Sequence, residues 1–168
     1  NPHAVCDYGG GFGRDPELID ERNVSKKDIG MIERQSDAAI ITIRRLPGEG
    51  KDLSEEDHFE VSKTELSLIR SVSEVFRKNK KPVIVILNVP APIETENWAD
   101  FADAILVSWL GGQEMGNAVF DILTGKQNPS GHLTASWTKK YSDLQSARGF
   151  AGIVTSEKLI PIFAGGDM

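Results

Sequence analysis

The sequence predicts an α/β fold: a three-layer sandwich with a mainly parallel sheet flanked by helices. Apolar, β-branched runs recur at Ile40-Ile41-Thr42-Ile43, Val83-Ile84-Val85-Ile86-Leu87 and Ile105-Leu106-Val107, which is the pattern of strands covered on both faces. Between the first two runs, Leu66, Ile69, Val72, Val75 and Phe76 recur at helical spacing. Strands separated by helices imply right-handed crossovers, and such crossovers join parallel neighbours.

The elements follow in order. Residues 1–24 form a loop-rich N-terminal segment. Its Gly9-Gly10-Gly11-Phe12-Gly13 run is too flexible for an element interior and lacks the preceding strand and the spacing of a dinucleotide-binding turn. An α/β sandwich domain is expected over 25–149. Ser25 and Asp28 mark a helix start, and Ile29 and Ile32 give it a short apolar stripe ending near Gln35. A strand over 38–43 comes next. Ser62-Lys63-Thr64-Glu65 matches a capping box and opens a helix over Lys63–Lys78. The basic run from Arg77 to Lys81 complements the negative end of that helix dipole. A strand over 82–87 is stopped by Pro90 and Pro92. Another over 104–109 is stopped by Gly111-Gly112. A helix over 113–123 turns Met115, Val119, Ile122 and Leu123 inward and stops at Gly125. After the turn Asn128-Pro129-Ser130-Gly131, a shorter edge strand is expected over 133–137. Residues 150–168 are a C-terminal tail of unassigned structure.

Composition narrows the function classes. At 168 residues the chain suits one domain with a real core. A net charge of −6 and a pI of about 5.1 argue against a nucleic-acid partner or an anionic membrane surface. No apolar run approaches the ~18 residues of a transmembrane helix. Cys6 is the only cysteine, so no internal disulfide can form and the compartment stays open.

The chemistry concentrates after the first strand. In an open α/β sheet, ligands bind at the carboxyl ends of parallel strands. There the chain reads Arg44-Arg45-Leu46-Pro47-Gly48-Glu49-Gly50-Lys51-Asp52, with one carboxylate between two glycines that let a substrate approach the backbone. Glu49 is the candidate general acid/base, and such a group needs a partner. Asp52 and Glu114 are the candidate substrate-binding residues, each with a structural alternative: a turn cap for Asp52 and a favourable acidic charge at a helix start for Glu114. Trp98, Trp109 and Trp137 could stack on a sugar ring, but Trp109 and Trp137 lie in apolar runs that suit the core. His3, His58 and His132 show no metal-ligand spacing, and no cofactor is expected.

The collinear order of these blocks resembles the C-terminal α/β sandwich domain of the family 3 glycoside hydrolases, the β-glucosidase family. The blocks are Gly48-Glu49-Gly50-Lys51-Asp52 after a strand, Lys81-Pro82-Val83-Ile84-Val85-Ile86-Leu87-Asn88, Gly112-Gln113-Glu114 with Gly116-Asn117-Ala118, Gly125-Lys126-Gln127-Asn128-Pro129-Ser130-Gly131-His132-Leu133, and Tyr141-Ser142-Asp143. They cover about residues 37–146. The chain departs from the family pattern at Leu53, where an arginine is usual, and at Leu110-Gly111, where Pro-Gly is usual.

The resemblance implies a retaining glycosidase mechanism with Glu49 as acid/base and an aspartate nucleophile on a separate (β/α)₈ barrel. No Ser-Asp-Trp nucleophile run occurs here, so the chain is expected to be a fragment or an engineered piece. Its partners would be a β-glucoside or oligosaccharide substrate and that barrel. Exposed strand-end loops would present apolar residues that favour a homodimer, and the isolated chain is expected to be inactive. The alternatives are a non-catalytic α/β module that binds a carbohydrate or a partner domain, or a redesigned scaffold.

Overall fold

The computed structural model describes residues 23–46, 55–144 and 147, together with the backbone of 153–155 and 158–160. It is an α/β fold whose first sheet is wholly parallel. Strands β1 (Ala39–Arg44), β2 (Val83–Asn88) and β3 (Ala104–Val107) lie side by side in sequence order. Ala39 is opposite Val83 and Arg44 opposite Asn88; Ile84 is opposite Ala104 and Leu87 opposite Val107. Among the described residues only β2 has a neighbour on each side.

Helices α1 (Lys26–Glu33) and α2 (Lys63–Lys78) pack against each other, and α2 lies on β1 and β2. Local chemistry sets their starts. The Ser25 hydroxyl accepts from the Asp28 amide at 3.1 Å. At α2 the capping box forms in full: the Ser62 hydroxyl accepts from the Glu65 amide at 3.2 Å, and the Glu65 carboxylate accepts from the Ser62 amide at 2.8 Å. The basic run that ends α2 is tied into the fold. Arg77 donates to the Asp103 carboxylate and the Asp100 carbonyl, and Lys81 pairs with the buried Glu33 at 2.7 Å. These contacts support the structural reading of that charge cluster.

The core lies between the helices and one face of the sheet. Ile29, Ile41, Ile43, Ile69, Val72, Phe76, Val83, Val85 and Leu87 form it, extended by Val89, Ile93 and Trp98 beyond β2. The loop after β2 is therefore packed within the chain and does not project as an exposed strand-end loop. Coverage of the sheet is uneven. β1 alternates strictly, with Ala39, Ile41 and Ile43 buried but Ile40 54% exposed. Its continuous apolar run predicts burial on both faces; among the described residues only one is covered. Helix α3 (Met115–Leu123) has the inward-facing Met115, Val119, Ile122 and Leu123 half-buried, with Phe120 62% exposed.

One local expectation needs correction. Residues 133–137 do not form a strand. The Trp137 side chain turns inward there, its indole N–H donating to the Ile93 carbonyl at 2.5 Å. In the C-terminal tail, which the sequence leaves unassigned, β4 (Ile153–Thr155) and β5 (Lys158–Ile160) pair antiparallel.

Candidate functional site at the carboxyl end of the sheet

The carboxyl ends of the three parallel strands carry Arg44 and Arg45, then Asn88, then Ser108 and Trp109. The sheet ladder continues past the strands. The Arg45 amide donates to the Asn88 carbonyl at 3.1 Å, and the Ser108 amide and hydroxyl both donate to the Leu87 carbonyl, at 2.9 and 3.0 Å.

Arg45 is a buried cation, 6% exposed. Its Nη1 donates to Glu65 Oε1 at 2.7 Å and to the Arg44 carbonyl at 2.8 Å. Its Nη2 donates to Glu65 Oε2 at 2.9 Å and to the Glu60 carbonyl at 2.8 Å. This is a fork-to-fork, bidentate pair of the strong kind. Burial opposes ionisation of Glu65, but the hydrogen bonds and charge of Arg45, together with the bonds from Ser62, outweigh it and hold the carboxyl below its usual value. The Arg45 Nε is buried without a partner among the described residues.

The third strand leads into a tight corner. Trp109 has a φ of 52°, a left-handed conformation that is strained for a bulky residue. Its ring lies 5.8 Å from that of Trp137 at 41°. Beyond it, the Met115 thioether accepts from the Asn88 side-chain amide at 3.2 Å and from the Gly111 amide at 3.3 Å. A Cβ on Gly111 would lie 2.4 Å from Met115 Cγ, so only glycine lets the corner close on the helix. That corner brings the start of α3 beside the end of β2.

Of the predicted site residues, Glu49 and Asp52 lie outside the described residues. Glu114 is described: it is the exposed residue before α3, and its Oε2 accepts from the Asn117 side-chain amide at 2.6 Å without capping a backbone amide. Trp98 is fully buried and donates to the Glu94 carbonyl at 2.6 Å, so it belongs to the core and offers no face to a sugar. Among the described residues no group of three or more His, Cys, Asp or Glu side chains could hold a metal ion. Sequence reasoning missed Arg45 and its pairing with Glu65. A charge directly closing an apolar strand was the available signal, since an arginine there is either solvated or paired.

Comparison with known proteins follows the same outline. The model of the glycosyl hydrolase family 3 C-terminal domain matches residues 18–166. Beta-glucosidase A of Butyrivibrio fibrisolvens is 32% identical over 165 residues, covering 83% of this chain and 19% of that protein. Thermostable beta-glucosidase B of Acetivibrio thermocellus is 31% identical over 148 residues, covering 86% and 18%. Among solved structures, beta-glucosidase 3B from Thermotoga neapolitana in complex with glucose superposes with a TM-score of 0.78 at 39% identity, covering 89% of this chain and 21% of that one. The chain thus spans about a fifth of the length of the relatives it matches.

Proposed function

Because this chain belongs to glycosyl hydrolase family 3, as a C-terminal domain, we propose that it supplies the general acid/base of a retaining β-glucosidase. Glu49 is that residue, and the nucleophile is an aspartate on a separate (β/α)₈ barrel. The two carboxyl groups of a retaining site stand roughly 5–5.5 Å apart across the glycosidic bond. The Glu49 carboxylic acid protonates the departing glycosidic oxygen as the nucleophile bonds to the anomeric carbon. The resulting Glu49 carboxylate then takes a proton from the water that releases the sugar. Holding its proton at neutral pH requires a raised pKa, which burial against the barrel would bring about. Asp52 and Glu114 act as substrate-binding carboxylates for the hydroxyls of a β-glucoside or β-linked oligosaccharide.

One observation carries this reading: 89% of the chain superposes on a β-glucosidase at 39% identity, and Glu49 follows the carboxyl end of β1 by five residues in the sequence. The test uses an enzyme that carries this domain beside a family barrel. Glu49→Gln should lower kcat/KM on an unactivated β-glucoside by ~10²–10⁴-fold, whereas wild-type turnover in that variant would overturn the assignment.

A partner-binding module without a catalytic role is the second reading. The exposed Ile40, Ile105 and Phe120 favour it, since apolar side chains left open on a sheet and helix suit a protein contact. In that case Glu49→Gln leaves turnover unchanged.

A further inference from the structure

Trp109 holds a backbone conformation that a tryptophan adopts only under strain. Its φ of 52° suits glycine or asparagine, because a Cβ there crowds the following carbonyl. Glycines stand two and three places on, at Gly111 and Gly112, yet the left-handed position itself carries the bulkiest side chain. Strain of this kind persists where the surrounding structure over-determines it, and it clusters at ligand contacts. The place fits that pattern. Trp109 follows the end of β3 by two residues, at the carboxyl edge where parallel sheets bind ligands.

The core does not account for this ring. Trp98 is fully buried, whereas Trp109 and Trp137 are half-buried, at the margin of the core. Trp137 is fixed by its indole N–H on the Ile93 carbonyl. Its ring stands 5.8 Å from that of Trp109 at 41°, so it braces Trp109 from one side without lying flat upon it. Alongside, Asn88 ends β2 next to Ser108, one step beyond the pair Leu87 and Val107. The Asn88 side-chain amide is oriented by its bond to the Met115 thioether at 3.2 Å.

A braced aromatic face beside an oriented amide suits a pyranose ring. In a β-glucosyl unit every ring substituent is equatorial. The axial C–H bonds therefore form an apolar face on each side, and the hydroxyls form a polar rim. The C–H face packs on the electron-rich face of an indole, and the rim bonds to a few well-placed polar groups.

We infer that Trp109, braced by Trp137, is a stacking platform for a β-glucosyl ring at the carboxyl end of the sheet, with Asn88 bonding to a hydroxyl at its rim. The choice of sugar rests on the reading of this chain as part of a β-glucosidase. The left-handed backbone is the means by which a large flat side chain is turned at the strand end to meet that ring.

The test is a titration of this chain with cellobiose, followed through the tryptophan indole N–H signals in proton–nitrogen NMR spectra. The sequence holds three tryptophans, so each signal is assigned by substitution. The Trp109 and Trp137 signals should shift saturably with a Kd in the millimolar range, while that of buried Trp98 stays in place. Sorbitol carries hydroxyls without a ring face and should cause no saturable shift. Trp109→Gly suits the left-handed backbone and removes the ring. It should weaken binding roughly tenfold or more, read on Trp137, whereas Trp109→Phe keeps an aromatic face and should stay within about threefold of wild type.

The wild-type shifts decide the matter even if a variant does not fold. No saturable shift at Trp109 up to the solubility limit of cellobiose, an equal response to sorbitol, or undiminished binding in Trp109→Gly would overturn the platform. None of these readings involves turnover, so each would leave the assignment of Glu49 standing. Conversely, wild-type turnover in Glu49→Gln overturns that assignment without altering the shifts.

Discussion

Arg45 and Glu65 respond to substitution in a way that separates a buried pair from a surface one. Removing one partner strands the other charge in a desolvated place, so Arg45→Met alone should destabilise the fold by ~3–5 kcal/mol. Arg45→Met/Glu65→Met, which removes both charges, should recover most of that loss. Urea unfolding of the three proteins checks the order, and a double variant less stable than Arg45→Met would contradict it. The pair also carries a pH dependence. Glu65 has its pKa lowered in the fold, so its contribution is complete above the ordinary carboxylate value. It is lost as the pH falls through the lower folded value. Asp103 shifts in the same direction, through its hydrogen bonds from Arg77 and the Val83 amide. Acidification should therefore lower the urea midpoint of the wild type more than that of the double variant.

At the scale of elements, α2 and the corner before α3 depend on different chemistry. Ser62→Ala removes the hydroxyl that satisfies the Glu65 amide and should cost about 1 kcal/mol. Ile69 is fully buried in the middle of the helix, so Ile69→Ala should cost ~2–5 kcal/mol through lost contacts and the cavity left behind. Gly111→Ala drives a methyl group into Met115, which overpacks the corner at a cost of ~1–3 kcal/mol and pulls the thioether from Asn88. Thermal unfolding ranks the three. A Gly111→Ala protein with unchanged Tm would mean that the corner relaxes freely.

For the whole molecule, the proposed reading turns on how many catalytic carboxyl groups flank the glycosidic bond. A retaining site needs two, and the proposal gives the chain only one of them, Glu49. The isolated chain should therefore not hydrolyse an aryl β-glucoside above background. General acid–base help alone is worth ~10²–10⁴-fold, a small part of the ~10⁶–10¹⁷-fold typical of enzymes. Turnover that survives purification and vanishes in Glu49→Gln would show that a second carboxylate of this chain, Glu114 or Asp52, serves the site.

The sequence by itself determined the parallel α/β architecture, the strand cores and the starts of α1 and α2, because these follow from short-range rules. Hydrophobic periodicity marked β1, β2 and α2. Ser25 and the Ser62–Glu65 box marked helix starts that the hydrogen bonds reproduce. It also made the family legible, through the order of glycine and asparagine turns around Glu49, Glu114 and Ser130. What it could not determine depended on which residues meet across the chain. Residues 133–137 read as a strand by composition, but no ladder forms there, and the Trp137 indole reaches the distant Ile93 carbonyl. The unbroken apolar run of β1 pointed to two covered faces, yet helices lie on one and Ile40 stays open. The sequence assigned no role to Arg45, which the fold brings against Glu65, twenty residues on. Only the tertiary structure decided these points, since burial and pairing at long range are properties of the packed molecule and leave no periodic trace in the sequence.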